Sequence, residues 1–471
     1  MNAHKPNLES PADAAVPPSV PALGGLLMFL LLLKSGHAVV LDHLVDPPQT
    51  LAEWFTVEHA WPVVWGQWAA VAWAISCLRH VRIGKGWPIT IWAPAAWLAW
   101  QFIAATGSVS PKLSAVTLAH FSCCVGAFYL GCWVLARCRN LNLFALGLMA
   151  GLLALLVIGT DQHFRQFNAT REHVQNLVSG GWKEIPAAEL AGMEKTGMIL
   201  KTADGYSVAP DFAKRLKSDR IFATFGGYAN VFAGMLLLLT PVAGVSLHRM
   251  MLKYGTLSAR LAAGILVVSS AACLYWSGSK AALLIAVAMG AWLAIAASHS
   301  KRARTGALIG LAVLVAAFVV PALMKYKSAG AKSAVARISY WKSALATFRE
   351  NPVMGSGPGT FGVMYAKNKK PDEEMARLAH NDFLQQASDS GLIGLCLYLA
   401  AVFGVARACV GQIVKQSGTI GWALSLGVLA WFGHGLVEFA LYVPSAGIIA
   451  WLFAGMIIGY GNHVDTQSAI G

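Results

Sequence analysis

The stretch from Leu141 to Gly159, LNLFALGLMAGLLALLVIG, decides how the chain is read. It carries no charged side chain, and a helix rising ~1.5 Å per residue over this length crosses most of the ~30 Å hydrocarbon layer of a bilayer. Arg137 and Arg139 precede it and Asp161 follows it, so its ends meet water and its middle does not.

Working outward, comparable runs recur near 21–40, 60–78, 87–105, 114–136, 221–247, 257–275, 279–297, 305–322, 391–409, 419–439 and 444–462. Composition agrees: 56% of the 471 residues are hydrophobic and 12% charged, whereas a soluble domain carries about a quarter charged residues. The expected fold class is an all-α polytopic membrane protein of about twelve transmembrane helices. The first run follows a Pro- and Ala-rich polar tail with no small-residue cleavage signature, so it reads as a retained helix behind a disordered tail over 1–20.

Cations set the expected orientation, because Lys and Arg in short loops stay on the cytoplasmic side. Arg79, Arg82 and Lys85, then Arg137 and Arg139, Arg249, Lys253 and Arg260, Lys301, Arg302 and Arg304, and Arg407 with Lys415 follow the even-numbered runs. The short loops after odd-numbered runs hold only Lys112 and Lys280. Both termini, including a tail over 463–471, are therefore expected in the cytoplasm of a bacterial inner-membrane protein. Two long connections, 160–220 and 323–390, are expected on the periplasmic side. The net charge of +14 is spread over loop ends, where it fixes topology and meets anionic membrane lipids, and no nucleic-acid partner is expected. The eight cysteines lie in or beside the spans, so neither a disulfide framework nor a Cys-ligated zinc is implied.

In the first long connection, 165–178 and 187–193 have helical character. The second places Val335, Ile338, Trp341, Leu345 and Phe348 at helical spacing among Arg337, Lys342 and Arg349, which predicts an amphipathic helix at the membrane surface. Asn351-Pro352 ends it, and Gly355, Gly357, Pro358 and Gly359 predict a tight turn. A further helix is predicted from about Met375 through His380 into the tenth span. Within the eleventh span, His434 and Glu438 stand four apart, one helical face, as a structural pair or a supporting part of a site.

The sharpest pattern is His380-Asn381, nine residues, Gly391, two residues, Gly394. With NPVMGSGPGTF over Asn351–Phe361, HNDFLQQASDSGLIGLCLYL from His380, Arg220 ahead of FATFGGYANVFAG, and Arg337-Ile338-Ser339-Tyr340-Trp341, it resembles the O-antigen ligase and polymerase superfamily over roughly 220–450. The resemblance implies a GT-C-like membrane glycosyltransferase that moves a glycan from undecaprenyl diphosphate to a hydroxyl acceptor, lipid A-core for the ligases, with no nucleotide sugar. That chemistry needs a base for the hydroxyl and positive charge for the departing diphosphate. His380 is the candidate general base, since a neutral imidazole accepts a proton near neutral pH. Arg220 and Arg337 are the candidate diphosphate-binding pair, their planar donor forks matching phosphate oxygens. Lys280, where relatives often carry Arg, is a third candidate without bidentate geometry; Asn381, Trp341, His434 and Glu438 are possible supporting residues. Neither Arg is free of a simpler reading as a snorkelling interface anchor.

No His, Asp or Glu spacing selects a metal ligand set, and neither a catalytic metal nor another cofactor is expected. Direct attack by the acceptor implies inversion at the anomeric carbon. The same pattern serves ligation, repeat-unit polymerisation and protein O-oligosaccharyl transfer. Ligation is the preferred expectation on overall length and span count, which is an analogy. A transporter is disfavoured by the lack of matched Gly/Pro-broken spans, and a scaffold offers no reason for Arg220, Arg337 and His380 to lie on one side.

Overall fold

The computed structural model describes residues 16–468 except 58, 84–86, 88, 183–184, 203–204, 298–304, 307–308, 311, 314–326, 372 and 416–419. The chain is mostly helical and forms a polytopic membrane protein. Among the described residues, six helical segments are long and apolar enough to cross a membrane: Pro111–Arg137, Asn142–Ser179, Ala229–Tyr254, Thr256–Trp276, Asp382–Val414 and Pro444–Asn462. Four shorter apolar helices, Ser19–Lys34, Ile89–Ala105, Lys280–Trp292 and Ile420–His434, accompany them. Val63–Cys77 forms a further apolar helix at the second expected span. The ninth expected span, 305–322, falls largely outside the described residues, as does most of the N-terminal tail.

Burial separates the centre of the bundle from its rim. The window of Pro444–Asn462 is 89% buried and that of Thr256–Trp276 only 28%, so the first is the core helix and the second presents its apolar side chains outward. The core helix packs against Pro111–Trp133 at glycines, because a Cβ on Gly455 would overlap the Phe128 carbonyl and one on Gly131 the Leu452 carbonyl. Close backbone approach at small residues is how helices gain contact where lipid tails offer no hydrophobic drive. Trp97 and Trp451 stack there with ring centroids 5.6 Å apart.

The first long connection extends the fifth span through a π-helical turn, Gln162–Gln166, into Phe167–Ser179, followed by Ala187–Lys195. It also holds a feature not anticipated from sequence, an antiparallel hairpin of Ile199–Thr202 and Gly205–Val208 with Ile199 opposite Val208. The all-α expectation is thus amended by this small exposed sheet. Arg171 donates to the carbonyls of Leu216 and Ser218, at 2.7 and 3.2 Å, and pairs with Asp219. Lys214 forms an ion pair with Glu374, and Lys195 with Asp46 at 2.8 Å. Both long connections and the 39–50 segment therefore meet on one side of the helical bundle.

The amphipathic expectation for the second connection is realised as helix Lys327–Glu350. Its large apolar residues Val335, Ile338 and Leu345 point outward, while Tyr340, Ser343, Ala344 and Thr347 are buried against helix Asp382–Lys415. The glycine turn then docks onto the break in that helix. Gly391 has φ 69°, a conformation that costs any side chain-bearing residue, and a Cβ there would overlap the Val353 carbonyl. Leu392 N donates to Pro352 O at 2.7 Å, Ser356 N to Ser388 O and Gly357 N to Asp389 O, each at 2.9 Å. Gly359 N donates to Asp389 Oδ2 at 2.8 Å.

Below the turn lies a buried polar seam. Gln385 Nε2 and Tyr442 Oη donate to Asp389 Oδ2, Gln386 Nε2 donates to Tyr442 Oη, and Trp97 Nε1 and Gln101 Nε2 donate to Gln386 Oε1. Such groups are costly to bury unless paired, so these bonds favour one arrangement of the helices that carry them, while Gln101 Oε1 and Asp389 Oδ1 find no partner. Gly391→Ala is expected to destabilise the fold by roughly 1–3 kcal/mol, the usual scale for a forced backbone conformation. Gly192→Ala, where nothing lies within 4 Å of the added Cβ, is the control. Thermal unfolding in detergent checks both, with a lowered midpoint for the first and an unchanged or slightly raised one for the second, since Gly192 lies inside a helix.

Candidate functional site

His380 does not continue a helix, contrary to the expectation of one running from Met375. It has φ 50° and the helix begins only at Asp382. The reason is a side-chain cap: Asn381 Oδ1 accepts from Phe383 N at 3.0 Å and Leu384 N at 2.9 Å, satisfying donors that the first helical turn leaves open. Asn381 Nδ2 donates to Leu436 O at 2.8 Å, and Asp382 N to Gly435 O at 2.8 Å. Asn381 therefore caps the helix and ties the His380 turn to the 435–438 segment. A left-handed conformation on a non-glycine residue is held by its surroundings, and such positions cluster at functional sites.

The same tie delivers Glu438. Helix Ile420–His434 ends at His434, and Gly435 opens a turn, so His434 and Glu438 do not share one helical face as their spacing suggested. Glu438 instead meets residues distant in sequence. Its Oε1 lies 2.8 Å from His380 Nδ1 and its Oε2 3.4 Å from Arg337 Nη2. The Glu438 side chain is 2% exposed and those of His380 and Arg337 are 25% and 21% exposed. The Nδ1 approach lies off the N–H direction of a well-formed hydrogen bond, so the contact is an ion pair by distance. Burial alone would raise the Glu438 carboxyl, but the His380 imidazole and the Arg337 guanidinium outweigh it and hold the group below the ordinary carboxylate range.

Aromatic rings wall the imidazole. Tyr340 stacks on it at 5.6 Å between centroids, Phe439 meets it edge-on at 4.7 Å, and Tyr228 meets Phe439 at 5.0 Å. Burial pushes the Tyr340 phenol up to about 12, so it remains a neutral hydroxyl at working pH. Trp341 packs with Tyr340, Ala344, Phe361, Tyr365, Ala376 and Ala379 behind this wall. Tyr340 was visible in sequence only as a neighbour of Arg337; Phe439 and Tyr228 gave no signal of their own, because the folding of distant segments brings them to His380.

Arg220 takes a different position from Arg337. Its Nε donates to Ser277 O at 2.8 Å and its Nη2 to Asn230 Oδ1 at 2.6 Å, which fixes the start of helix Ala229–Met251 to the turn at Gly278. Lys280 opens helix Lys280–Ala297 immediately after that turn and is half-buried. His434 reaches the same turn, with Nε2 3.4 Å from Ser279 Oγ. The structure thus brings His380, Glu438 and Arg337 into direct contact, with Arg220 at the neighbouring turn. It does not join Arg220 and Arg337 as a contacting pair.

Chemically, a carboxylate on Nδ1 leaves Nε2 as the imidazole nitrogen facing an acceptor and stabilises the cation formed when that nitrogen takes a proton. Arg337 brings a permanent positive charge to the other carboxylate oxygen. Among the described residues, no group of three or more His, Cys, Asp or Glu side chains is arranged to hold a metal ion.

No curated protein matches the chain. Residues 265–399, which contain Lys280, Arg337, the glycine turn and His380, match the family model described as O-Antigen ligase. The match makes this segment similar to the O-antigen ligase family, and it leaves Arg220 and Glu438 outside it.

Proposed function

We propose that this protein is a periplasm-facing O-antigen ligase of the bacterial inner membrane, transferring a glycan from undecaprenyl diphosphate to a sugar hydroxyl of lipid A-core. The observation that carries the reading is the buried Glu438 carboxylate shared between His380 Nδ1 and Arg337. The acceptor hydroxyl gives its proton to His380 Nε2 as its oxygen bonds to the anomeric carbon. The bond from that carbon to the diphosphate oxygen breaks, and its electron pair leaves with the diphosphate. Glu438 holds the imidazole in the tautomer that accepts at Nε2 and stabilises the imidazolium. Positive charge near the departing oxygens lowers the barrier because it is already in place when the charge develops. The outward apolar face of Lys327–Glu350, with Val335, Ile338 and Leu345, suits a site that must admit a lipid carrier from the bilayer.

Arg220 and Lys280 serve this reading as cations of the neighbouring turn, with Arg220 also holding that turn in place. Direct displacement predicts an inverted linkage. Repeat-unit polymerisation would use the same groups on a different acceptor, and protein O-glycan transfer a Ser or Thr hydroxyl; the acceptor alone separates the three.

In nanodiscs, the wild type is expected to move glycan from the lipid diphosphate to purified lipid A-core. His380→Ala should lower the rate ~10²–10⁴-fold, the usual contribution of a positioned base. Arg337→Lys should recover only part of the activity lost in Arg337→Ala. Elongation of the carrier-linked glycan with no product on lipid A-core would move the assignment to polymerisation.

Glu438→Gln is expected to slow transfer and to lower stability in a pH-dependent way. A carboxyl held low in the folded state stabilises above its unfolded value, and that stability is lost as pH falls through the folded value. The gap in unfolding midpoint between wild type and Glu438→Gln should be present at pH ~5 and close as pH falls below the ordinary carboxylate range. A gap already closed at pH ~5 would refute the assigned charge state.

A further inference from the structure

The connection between the first two expected spans is more than a linker. It carries the short helix Leu51–Phe55, in which Leu51 and Phe55, four apart and so on one face, are 76% and 78% exposed. Trp54 and the nearby Leu44 are exposed as well. Large apolar side chains gathered on a surface in this way mark a contact with something else.

The neighbouring helix indicates what covers them. Trp54 stacks on Trp65 of helix Val63–Cys77 with ring centroids 4.4 Å apart, and both rings meet Trp61, at 5.8 and 6.2 Å. Along that helix Val64, Trp68, Val71 and Ile75 recur at helical spacing as one stripe, and all four are exposed. On a helix of a polytopic membrane protein, such a stripe faces lipid. Leu51, Trp54 and Phe55 continue it at the Val63 end, on the side where Asp46 pairs with Lys195 of the first long connection at 2.8 Å. Tryptophan is enriched at that depth, where the hydrocarbon gives way to headgroups.

Backbone polarity is the obstacle to laying so short a helix against lipid, because its end groups have no intrahelical partners and lipid offers none. Side chains meet those groups here. Thr50 Oγ1 accepts from Glu53 N at 3.3 Å, and Glu53 Oε2 accepts from Gln49 N at 2.6 Å. At the other end the buried Lys34 Nζ donates to three carbonyls, Glu53 O at 3.4 Å, His59 O at 2.9 Å and Thr56 O. An ammonium group has three donors, and each finds an acceptor in this one segment. The Lys34 charge also lies 5.8 Å from the centre of the Trp61 ring, within reach of a cation–π attraction, and Trp61 N donates to Lys34 O at 2.8 Å. Lys34 ends helix Ser19–Lys34, so one side chain ties the short helix to the bundle.

We propose that Leu51–Phe55 is an interfacial anchor, seated in the leaflet on the side of the two long connections with Leu51, Trp54 and Phe55 among the acyl chains, and that Lys34 is the residue that allows it to sit there. The partner is the bilayer itself, at the boundary where an apolar helix face sinks in while its polar neighbours stay wet. The exposed Asp46, Gln49 and Thr50 form that wet edge. The Lys195–Asp46 pair connects the anchor to the first long connection. The inference needs only the membrane fold and stands whether or not the protein transfers a glycan.

The test uses the full chain in nanodiscs of phosphatidylethanolamine and phosphatidylglycerol, with the photoreactive p-benzoylphenylalanine in place of one residue at a time. On irradiation, the probe at Phe55 is expected to give a protein-plus-phospholipid mass in a yield comparable to the probe at Val71 on the exposed stripe. The probe at Glu194, on the exposed helix Ala187–Lys195, sets the aqueous background. Adding Lys34→Met should drop the Phe55 adduct to that background while the Val71 adduct persists. A Phe55 yield at the Glu194 background, or crosslinking to a second copy of the chain in place of lipid, would overturn the anchor. A Phe55 adduct that survives Lys34→Met would overturn the role given to Lys34. Leu51→Glu, an exposed change that leaves the Lys34 bonds in place, decides the matter if Lys34→Met does not fold. It should cut the Phe55 adduct severalfold with the Val71 adduct unchanged, and an undiminished Phe55 adduct would count against insertion.

Discussion

A single buried carboxylate organises the working face of this protein. Glu438 has almost no access to solvent, and its two oxygens are directed to His380 and Arg337. An isolated carboxylate in such a place would be costly, and removing either partner would leave a buried charge uncompensated. The three residues come from the turn before one helix, the middle of another and the turn that follows a third. Their contact therefore requires that helices Lys327–Glu350, Asp382–Lys415 and Ile420–His434 stand in one relation to each other.

That relation is set by backbone as much as by side chains. The glycine turn after Asn351 closes onto the helix broken at Gly391, and four backbone donors cross between them, from Ser356, Gly357, Gly359 and Leu392. Asn381 caps the following helix while reaching Leu436, so the start of one helix and the turn after another are fixed by one side chain. The seam of Gln385, Gln386, Asp389, Tyr442, Gln101 and Trp97 then locks the broken helix to its neighbours. The glycines of the His380 pattern are thus explained by close approach and backbone conformation, and the histidine and its partners by chemistry.

The two long connections form one structure above this seam. Lys214–Glu374 and Lys195–Asp46 are exposed pairs that contribute little energy each, yet they link the hairpin-bearing segment to the chain around the site. Aromatic packing of Tyr340, Phe439 and Tyr228 around the imidazole does the remaining positioning, because rings hold a geometry at small entropic cost.

Much of this was legible in the residues themselves. Uncharged runs such as Leu141–Gly159 announce a membrane protein, since their transfer from water to lipid depends on composition and length and not on neighbours. His380, Arg337 and the glycine turn were visible because their pattern is local, and they lie within the matched segment 265–399. The partner of His380 was not: the spacing of His434 and Glu438 suggested a pair on one helix, but the helix stops at His434 and the carboxylate turns to residues some sixty and a hundred positions upstream. Likewise Arg220 reads in sequence as a companion of Arg337, and the fold commits it to Ser277 and Asn230. Hydropathy and backbone conformational preference are properties of a segment, so the sequence by itself determined the membrane class, most of the helices and the sharp turns. Which charge meets which is a property of three-dimensional proximity, and only the tertiary structure decided that Glu438 belongs to His380 and Arg337.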